Sequence, residues 1–279
     1  FRDVGPAYNS RLMQFVMNAR KGWRPEVAAH FVRHGYVVVY QDCRGRHGSE
    51  GEFVKYLSDG EDGFDTVQWI EQQPWCNGKV ATMGLSYAAH TQVALACLAP
   101  QSLAAMVVDC GGFSNAWLSA IRSGGAFEMK QVTWAFNQAK ESLLAHNDVR
   151  VREALAAEDL REWFKHMPWK RGQSPVKWAP EYEDYLFEQW THGEFSDYWK
   201  QLGIYAEGFY KKFADVPQIH MSSWYDAYVR TAIDMVLASS NPLIYAGEGV
   251  IYANAAAELK ALAEALNVPV ITTLKAKGA

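Results

Sequence analysis

KVATMGLSYAAH, residues 79–90, runs from an apolar segment through Gly84-Leu85-Ser86-Tyr87-Ala88 into the alanine-rich continuation TQVALACLA. A turn of the form G-x-S-x-[GA] between a strand and a helix lifts its serine to the tip of a sheet in a strained backbone conformation. Small residues flank that serine because strand and helix pass closely. Gly84 and Ala88 fill those two places. Gly and Ala are common enough for the five-residue pattern to recur by chance, and a serine capping an ordinary helix is the alternative. The setting gives the pattern its meaning: a strand before it, a helix after it, and a middle place in an alternating series. Ser86 is therefore the candidate nucleophile.

Outward from Ser86, short apolar runs rich in β-branched residues predict strands at 37–40 (VVVY), 79–84, 103–110 (LAAMVVDC), 216–223 (VPQIHMSS), 242–247 (PLIYAG) and 268–274 (VPVITTL). Strands of this kind are buried on both faces. RPEVAAHFVRHG carries Pro25 near its start and Gly35 past its end, the asymmetry of a helix. DGEDGFDTVQWIEQQ and YAAHTQVALACLA are further helix candidates. Regular alternation of this kind predicts a doubly wound, mostly parallel α/β sheet. From Asn115 to about Ala214 the pattern changes to helical periodicity, many charges and frequent aromatics, which reads as a helical insertion over the sheet.

Composition excludes several classes. The 279 residues carry a net charge of −4 with no long basic run, so neither a nucleic acid nor an anionic membrane is an expected partner. No apolar stretch is long enough to span a bilayer. Cys43, Cys76, Cys97 and Cys110 form no C-x-x-C pair and no zinc-like spacing. They read as reduced thiols, which favours the cytoplasm; nothing specifies an oligomeric state. The chain begins at Phe1 without methionine and reads as a piece at its N-terminus.

YVVVYQDCRGRHGSEGEF (36–53) and DGFDTVQWIEQQPWCNGKVATMGLSYAAHTQ (62–92) resemble the cocaine esterase and glutaryl acylase family, related to the X-Pro dipeptidyl-peptidases and α-amino acid ester hydrolases. The resemblance covers residues 1 to about 233. It implies an α/β-hydrolase fold with a helical cap, acting on esters or amides of small molecules through an acyl-enzyme, without cofactor or metal. Carried over residue by residue, it implies Ser86 as nucleophile and the backbone N–H of Tyr87 as first oxyanion donor. The segment GPAYNS gives the hydroxyl of Tyr8 as second donor, and QIHMSSWYDAY gives Asp226 as the acid. For Tyr8 an aromatic packing role is the alternative, and for Asp226 a surface helix cap. In DCRGRHGSEG the cluster of Asp42, Arg44, Arg46, His47 and Glu50 is architectural by this resemblance, its arginines expected to pair with carboxylates and backbone carbonyls. Glu61, Asp62 and Asp65 are expected on a solvated helix face. The cap tryptophans are expected to pack in a core or line an acyl pocket.

The base is missing. In the family it is a histidine about thirty residues after the acid, in a G-P-W-x-H segment, whereas this chain has no histidine after His220. His90 lies one helical turn beyond Ser86, on a helix expected to point away from the hydroxyl, and His220 is expected to pack.

From about Met235 the sequence changes resemblance. VLASSNPLIYAGEGVIYANAAAELKALAEALNVPVITTLKAKGA resembles the central domain of thiamine-diphosphate enzymes such as acetolactate synthase, without residues that would hold the cofactor. The expected organisation is a hydrolase core at 1–112, a helical cap at 113–214, a resumed core with the acid-bearing strand at 215–234, and a βαβ segment of different ancestry at 235–279. The hydrolase part is expected to be truncated. PLIYAG is then expected to take the slot of the family's last strand, with GEGVIYAN offering Glu248 and Asn254 where an imidazole belongs. The expected function is a serine hydrolase, inactive as given. A piece of a thiamine-diphosphate synthase or lyase and a non-catalytic protein on a hydrolase scaffold are the alternatives.

Overall fold

The computed structural model describes the backbone of residues 13–17 and residues 25–247 and 249–272. Tyr8 and Glu248 lie outside the described residues. In chain order the first half comprises β1 (Met13–Met17), α1 (Pro25–Arg33), β2 (Val37–Gln41), α2 (Asp59–Glu71), β3 (Val80–Leu85), α3 (Tyr87–Ala96) and β4 (Leu103–Asp109). The sheet is completed by β7 (Gln218–Met221), in the order β2-β1-β3-β4-β7. Every neighbouring pair is parallel, with Met13 opposite Val37, Met13 opposite Val80, Gly84 opposite Val108, and Val108 opposite His220. This is the sheet of an α/β-hydrolase. β1 is the strand absent from the sequence reading, where Gln14 interrupts the apolar run MQFVM.

The chain leaves β1 for β2 on one side, then crosses back to build β3, β4 and β7 on the other. In open α/β sheets the crevice used for ligands opens at such a reversal, outside the C-terminal ends of the strands. Ser86 follows β3 at that place. Every residue of α3 is buried, from Tyr87 to Ala96. A helix apolar all round belongs in the interior, and its alanines allow the close approach to β3 and β4. Its one buried amide is satisfied: Gln92 Nε2 donates to the carbonyls of Ala88 at 2.9 Å and Val107 at 3.1 Å, and Gln92 Oε1 accepts from Thr82 at 2.9 Å.

Between β4 and β7 stand a two-stranded hairpin, β5 (Arg122–Ser123) and β6 (Ala126–Phe127), and five helices. The helices are α4 (Lys130–Lys140), α5 (Leu143–Asn147), α6 (Val149–Ala157), α7 (Leu160–Trp163) and α8 (Pro180–Thr191). Gly124 and Gly125, at φ 59° and 90°, make the hairpin's two-residue turn, a conformation that favours glycine at both places. The helices enclose a core of their own around Val132, Phe136, Leu155, Tyr182 and Leu186. The tryptophans serve it unequally: Trp169 is buried in it, Trp134, Trp163 and Trp190 pack against it, and Trp178 is exposed.

Contacts divide the chain into two compact units, residues 1–231 and 232–279, the division falling inside α9 (Val229–Ala238). The second unit holds β8 (Ile244–Ala246), α10 (Gly249–Tyr252), α11 (Ala256–Leu266) and β9 (Val270–Thr272). β8 pairs in parallel with β9, Tyr245 opposite Ile271, in a sheet of its own. This corrects the expectation that PLIYAG continues the hydrolase sheet. β8 and β9 are joined through α10 and α11, the helical crossover that a parallel pair requires.

Candidate active site

Ser86 stands between β3 and α3 at φ 60°, ψ −114°, outside the regions open to residues with a Cβ. Its N–H donates to the Asp109 carbonyl at 2.8 Å, and its own carbonyl accepts from Ala89 at 2.9 Å and His90 at 3.2 Å. The flanking residues are as small as they must be. A Cβ on Gly84 would lie 2.4 Å from the Cβ of Ala88, and one on Gly111 would lie 2.4 Å from the Ser86 carbonyl oxygen. The sequence motif and the local geometry agree at every position.

Such a backbone is held at a cost of about 1–3 kcal/mol when the residue is not glycine. Ser86→Gly is therefore expected to be more stable than Ser86→Ala by about 1 kcal/mol, the reverse of the usual order, as read by urea titration. Equal stabilities would remove the strain from the description.

The tips of β3, β4 and β7 are knitted together. The Cys110 N–H donates to the Met221 carbonyl at 2.9 Å. The Cys110 thiol is pushed up to about 12, first by burial and then by hydrogen bonds to Asp109 and Asp226. Asp226 accepts from Ser222 Oγ at 3.1 Å and from the Tyr228 N–H at 3.2 Å. Asp226 thus follows the end of β7 on the same edge of the sheet as Ser86. Its strand pairs with β4 rather than with β3, so β4 stands between the strands that carry Ser86 and Asp226. Two strand spacings, about 10 Å, separate the strands that carry the two side chains.

Neither nearby histidine fills that interval. His90 is buried, its ring stacked on Phe113 with centroids 4.2 Å apart, and its Nδ1 accepts the Gly112 N–H at 2.8 Å. Burial holds it well below the ordinary histidine value, with Lys55 and Lys130 adding to the effect. His220 points along β7 toward Gln218 Oε1, 3.0 Å away, and burial lowers it to about 4. A hydroxyl at a strained turn with a helix N-terminus behind it can attack a carbonyl carbon, provided some group takes its proton.

The loop after β2 departs from its sequence reading in two ways. Asp62 is buried and bound by the Arg44 guanidinium, not solvated. Arg46 is buried, and its described partners are not carboxylates: it donates to the Tyr182 hydroxyl and to Gln138 Oε1, at 2.6 Å for the latter. It therefore ties the core to α4 and α8, which sequence spacing cannot show across so many intervening residues.

Sequence reasoning also missed Lys55 and Asp59. Lys55 is 4 % exposed, with its ammonium 3.3 Å from the Trp134 ring centroid and donating to the Tyr185 hydroxyl at 2.7 Å and Gln131 Oε1 at 3.2 Å. Burial, reinforced by Lys130, lowers it well below the ordinary lysine value. Lys130, lowered by burial, lies 4.6 Å from the Tyr228 ring centroid, with the charge of Asp226 nearby. No local pattern distinguishes these lysines from solvated ones.

Among the described residues no group of three or more His, Cys, Asp or Glu side chains is placed to hold a metal ion.

Residues 6–251 match the model of the X-Pro dipeptidyl-peptidase (S15) family, and residues 229–279 match that of the thiamine pyrophosphate enzyme central domain. Cocaine esterase from a Rhodococcus species is 26 % identical over 213 residues, 75 % of this chain and 37 % of the esterase. The acetolactate synthase large subunit of Buchnera aphidicola is 57 % identical over 51 residues, 18 % of this chain and 9 % of that protein. Among solved structures, a CocE/NonD family hydrolase from Staphylococcus aureus superposes with a TM-score of 0.60 at 18 % identity, covering 95 % of this chain and 49 % of its own. The chain spans less than half the length of these relatives. With the S15 model matched over most of this chain and the parallel sheet and strand-to-helix turn as described, the chain belongs to the X-Pro dipeptidyl-peptidase (S15) family, with a tail similar to the thiamine pyrophosphate enzyme central domain.

Proposed function

We propose that this is a serine hydrolase chain for small ester or amide substrates, nearly inert in the form of these 279 residues. Ser86 is the nucleophile, Asp226 the acid, and the Tyr87 N–H and the Tyr8 hydroxyl the oxyanion donors. Ser86 Oγ attacks the carbonyl carbon, and charge gathers on the carbonyl oxygen beside the Tyr87 N–H, where a fixed donor acts chiefly in the transition state. Collapse of that intermediate expels the alcohol or amine and leaves an acyl-Ser86, which water then hydrolyses. Both halves need a base that hands its proton on, and His90 and His220 are engaged elsewhere. The cap is assigned to residues 113–214 and the resumed core to 215–234.

The single observation that carries the reading is the backbone of Ser86 at φ 60°, ψ −114°, a strain that a plain helix cap has no need of. Similarity to cocaine esterase supports the ester class. A non-catalytic role on the same scaffold is the second reading, favoured by the engagement of His90 and His220 with other groups. The two part on one measurement. Prolonged exposure to p-nitrophenyl acetate is expected to leave an acetyl group on the peptide carrying Ser86, seen by mass spectrometry, because deacylation lacks its base as well. Acetylation confined to lysines would favour the non-catalytic reading.

A further inference from the structure

Asp59 is the first residue of α2, 2 % exposed, and the proposed chemistry leaves it without a role. Its Oδ2 accepts from the Tyr87 hydroxyl at 2.8 Å, and it accepts from the Cys43 thiol as well. The same Tyr87 oxygen accepts the backbone N–H of Tyr56 at 3.0 Å. Tyr56 stacks on Tyr87 with centroids 5.3 Å apart and planes at 21°, and Trp134 lies parallel to Tyr87 at 6.3 Å.

Tyr56 itself has φ 70° and is buried. Its carbonyl is pressed by Gly203, where a Cβ would lie 2.0 Å from that oxygen. Two non-glycine residues in strained conformations, Tyr56 and Ser86, are therefore connected through one phenol oxygen, with Asp59 anchoring it. Strained backbone persists only where its surroundings over-determine it. The ψ of Ser86 fixes the direction of the Tyr87 N–H, and the Tyr87 ring is the lever that holds that peptide from the far side. A buried carboxylate is costly where no partner demands it, and a merely structural helix start has no need of one here, since a neutral residue would fill the place.

We propose that Asp59 is a positioning residue for the Ser86–Tyr87 peptide, acting through the Tyr87 hydroxyl to aim the Tyr87 N–H at the developing oxyanion. The proposal rests on reading Ser86 as nucleophile and the Tyr87 N–H as oxyanion donor.

Phenylboronic acid tests it on the chain as it exists. Boron accepts the Ser86 Oγ while the serine proton passes to water, and the resulting tetrahedral anion needs the Tyr87 N–H but not a turnover cycle. Boron NMR of the tetrahedral signal reads its affinity, and Ser86→Ala is expected to remove that signal. Tyr87→Phe and Asp59→Asn are each expected to weaken it about tenfold near pH 8, short of the roughly 10²-fold that a 1 Å misplacement can cost.

The pH dependence separates positioning from packing. Burial pushes Asp59 up to about 6, against the hydrogen bonds from Tyr87 and Cys43; Asp62 adds to the rise and Lys55 opposes it. Asp59 is charged above about pH 6, so the deficit of Asp59→Asn is expected to shrink toward none as pH falls through that value. If both variants fold and bind the boronate as the parent does, with the signal still dependent on Ser86, the positioning role is overturned and the nucleophile stands. A missing Ser86-dependent signal overturns both. Should Asp59→Asn fail to fold, Tyr87→Phe alone decides.

Discussion

Hydrolysis of p-nitrophenyl acetate by this chain is expected to stay within about 10³–10⁴-fold of the rate in water, the residue left to a triad enzyme when one member is gone. Positioned proton transfer contributes about 10²–10⁴-fold. Replacing everything beyond Ala238, the last residue of α9, with a segment carrying G-P-W-x-H is therefore expected to raise turnover by about 10³-fold. Ser86→Ala in that chimera is expected to cancel the gain. The graft addresses a specific interval: Asp226 and Ser86 follow strands two spacings apart, with β4 between them, and about 10 Å is a span that an imidazole hydrogen-bonded to both side chains would bridge. Turnover by the unmodified chain at about 1–10³ per second would refute the missing-base argument. His90 would not be the first place to look, since Gly112 and Phe113 already hold its ring. Lys130, lowered by burial and near Asp226, would be the next group to replace.

What the sequence discloses follows from how local each signal is. The elbow is legible because strand, strained serine and helix are consecutive, so Gly84, Ser86 and Ala88 declare themselves within five residues. The strands β2, β3, β4 and β7 are legible for the same reason, being short apolar runs bounded by turn residues. β1 is not, because Gln14 breaks its run and its support comes from β2 and β3 on either side. Asp226 as the acid is legible only through the resemblance, and no periodicity in the chain places it on one edge with Ser86.

The buried charges resist sequence reading altogether. Lys55 and Asp59 stand in KYLSD, a polar stretch that composition assigns to solvent, and only the folding of α4, α8 and α3 around them encloses them. Asp62 was misread for the same reason: its partner Arg44 comes from the loop after β2 and faces α2 only in the folded chain. The pairing of β8 with β9 is likewise not declared by any local pattern, since PLIYAG and VPVITTL each read only as a buried strand.

Gly111→Ala is expected to damage the fold severely for its size. A single added methyl would lie 2.4 Å from the Ser86 carbonyl oxygen and 2.6 Å from the Cβ of Ala89. Neither atom is the end of a flexible side chain. The first belongs to the strained turn and the second to a helix buried on all sides, so relief requires α3 to move away from the end of β4. Overpacking of this kind costs about 3 kcal/mol, which for a unit of this size lowers the melting temperature by on the order of 10 °C. Gly48→Ala is the control: its nearest atom, Asp42 Oδ2, is at an ordinary 3.7 Å, and a change within about 0.5 kcal/mol is expected. All eleven tryptophans precede residue 232, so fluorescence melting reports on the first unit alone, whatever the second does. Melting of Gly111→Ala at the parent temperature would mean that the end of β4 and the elbow are less closely apposed than described, and with that the strain at Ser86, on which the nucleophile assignment stands, would lose its structural cause.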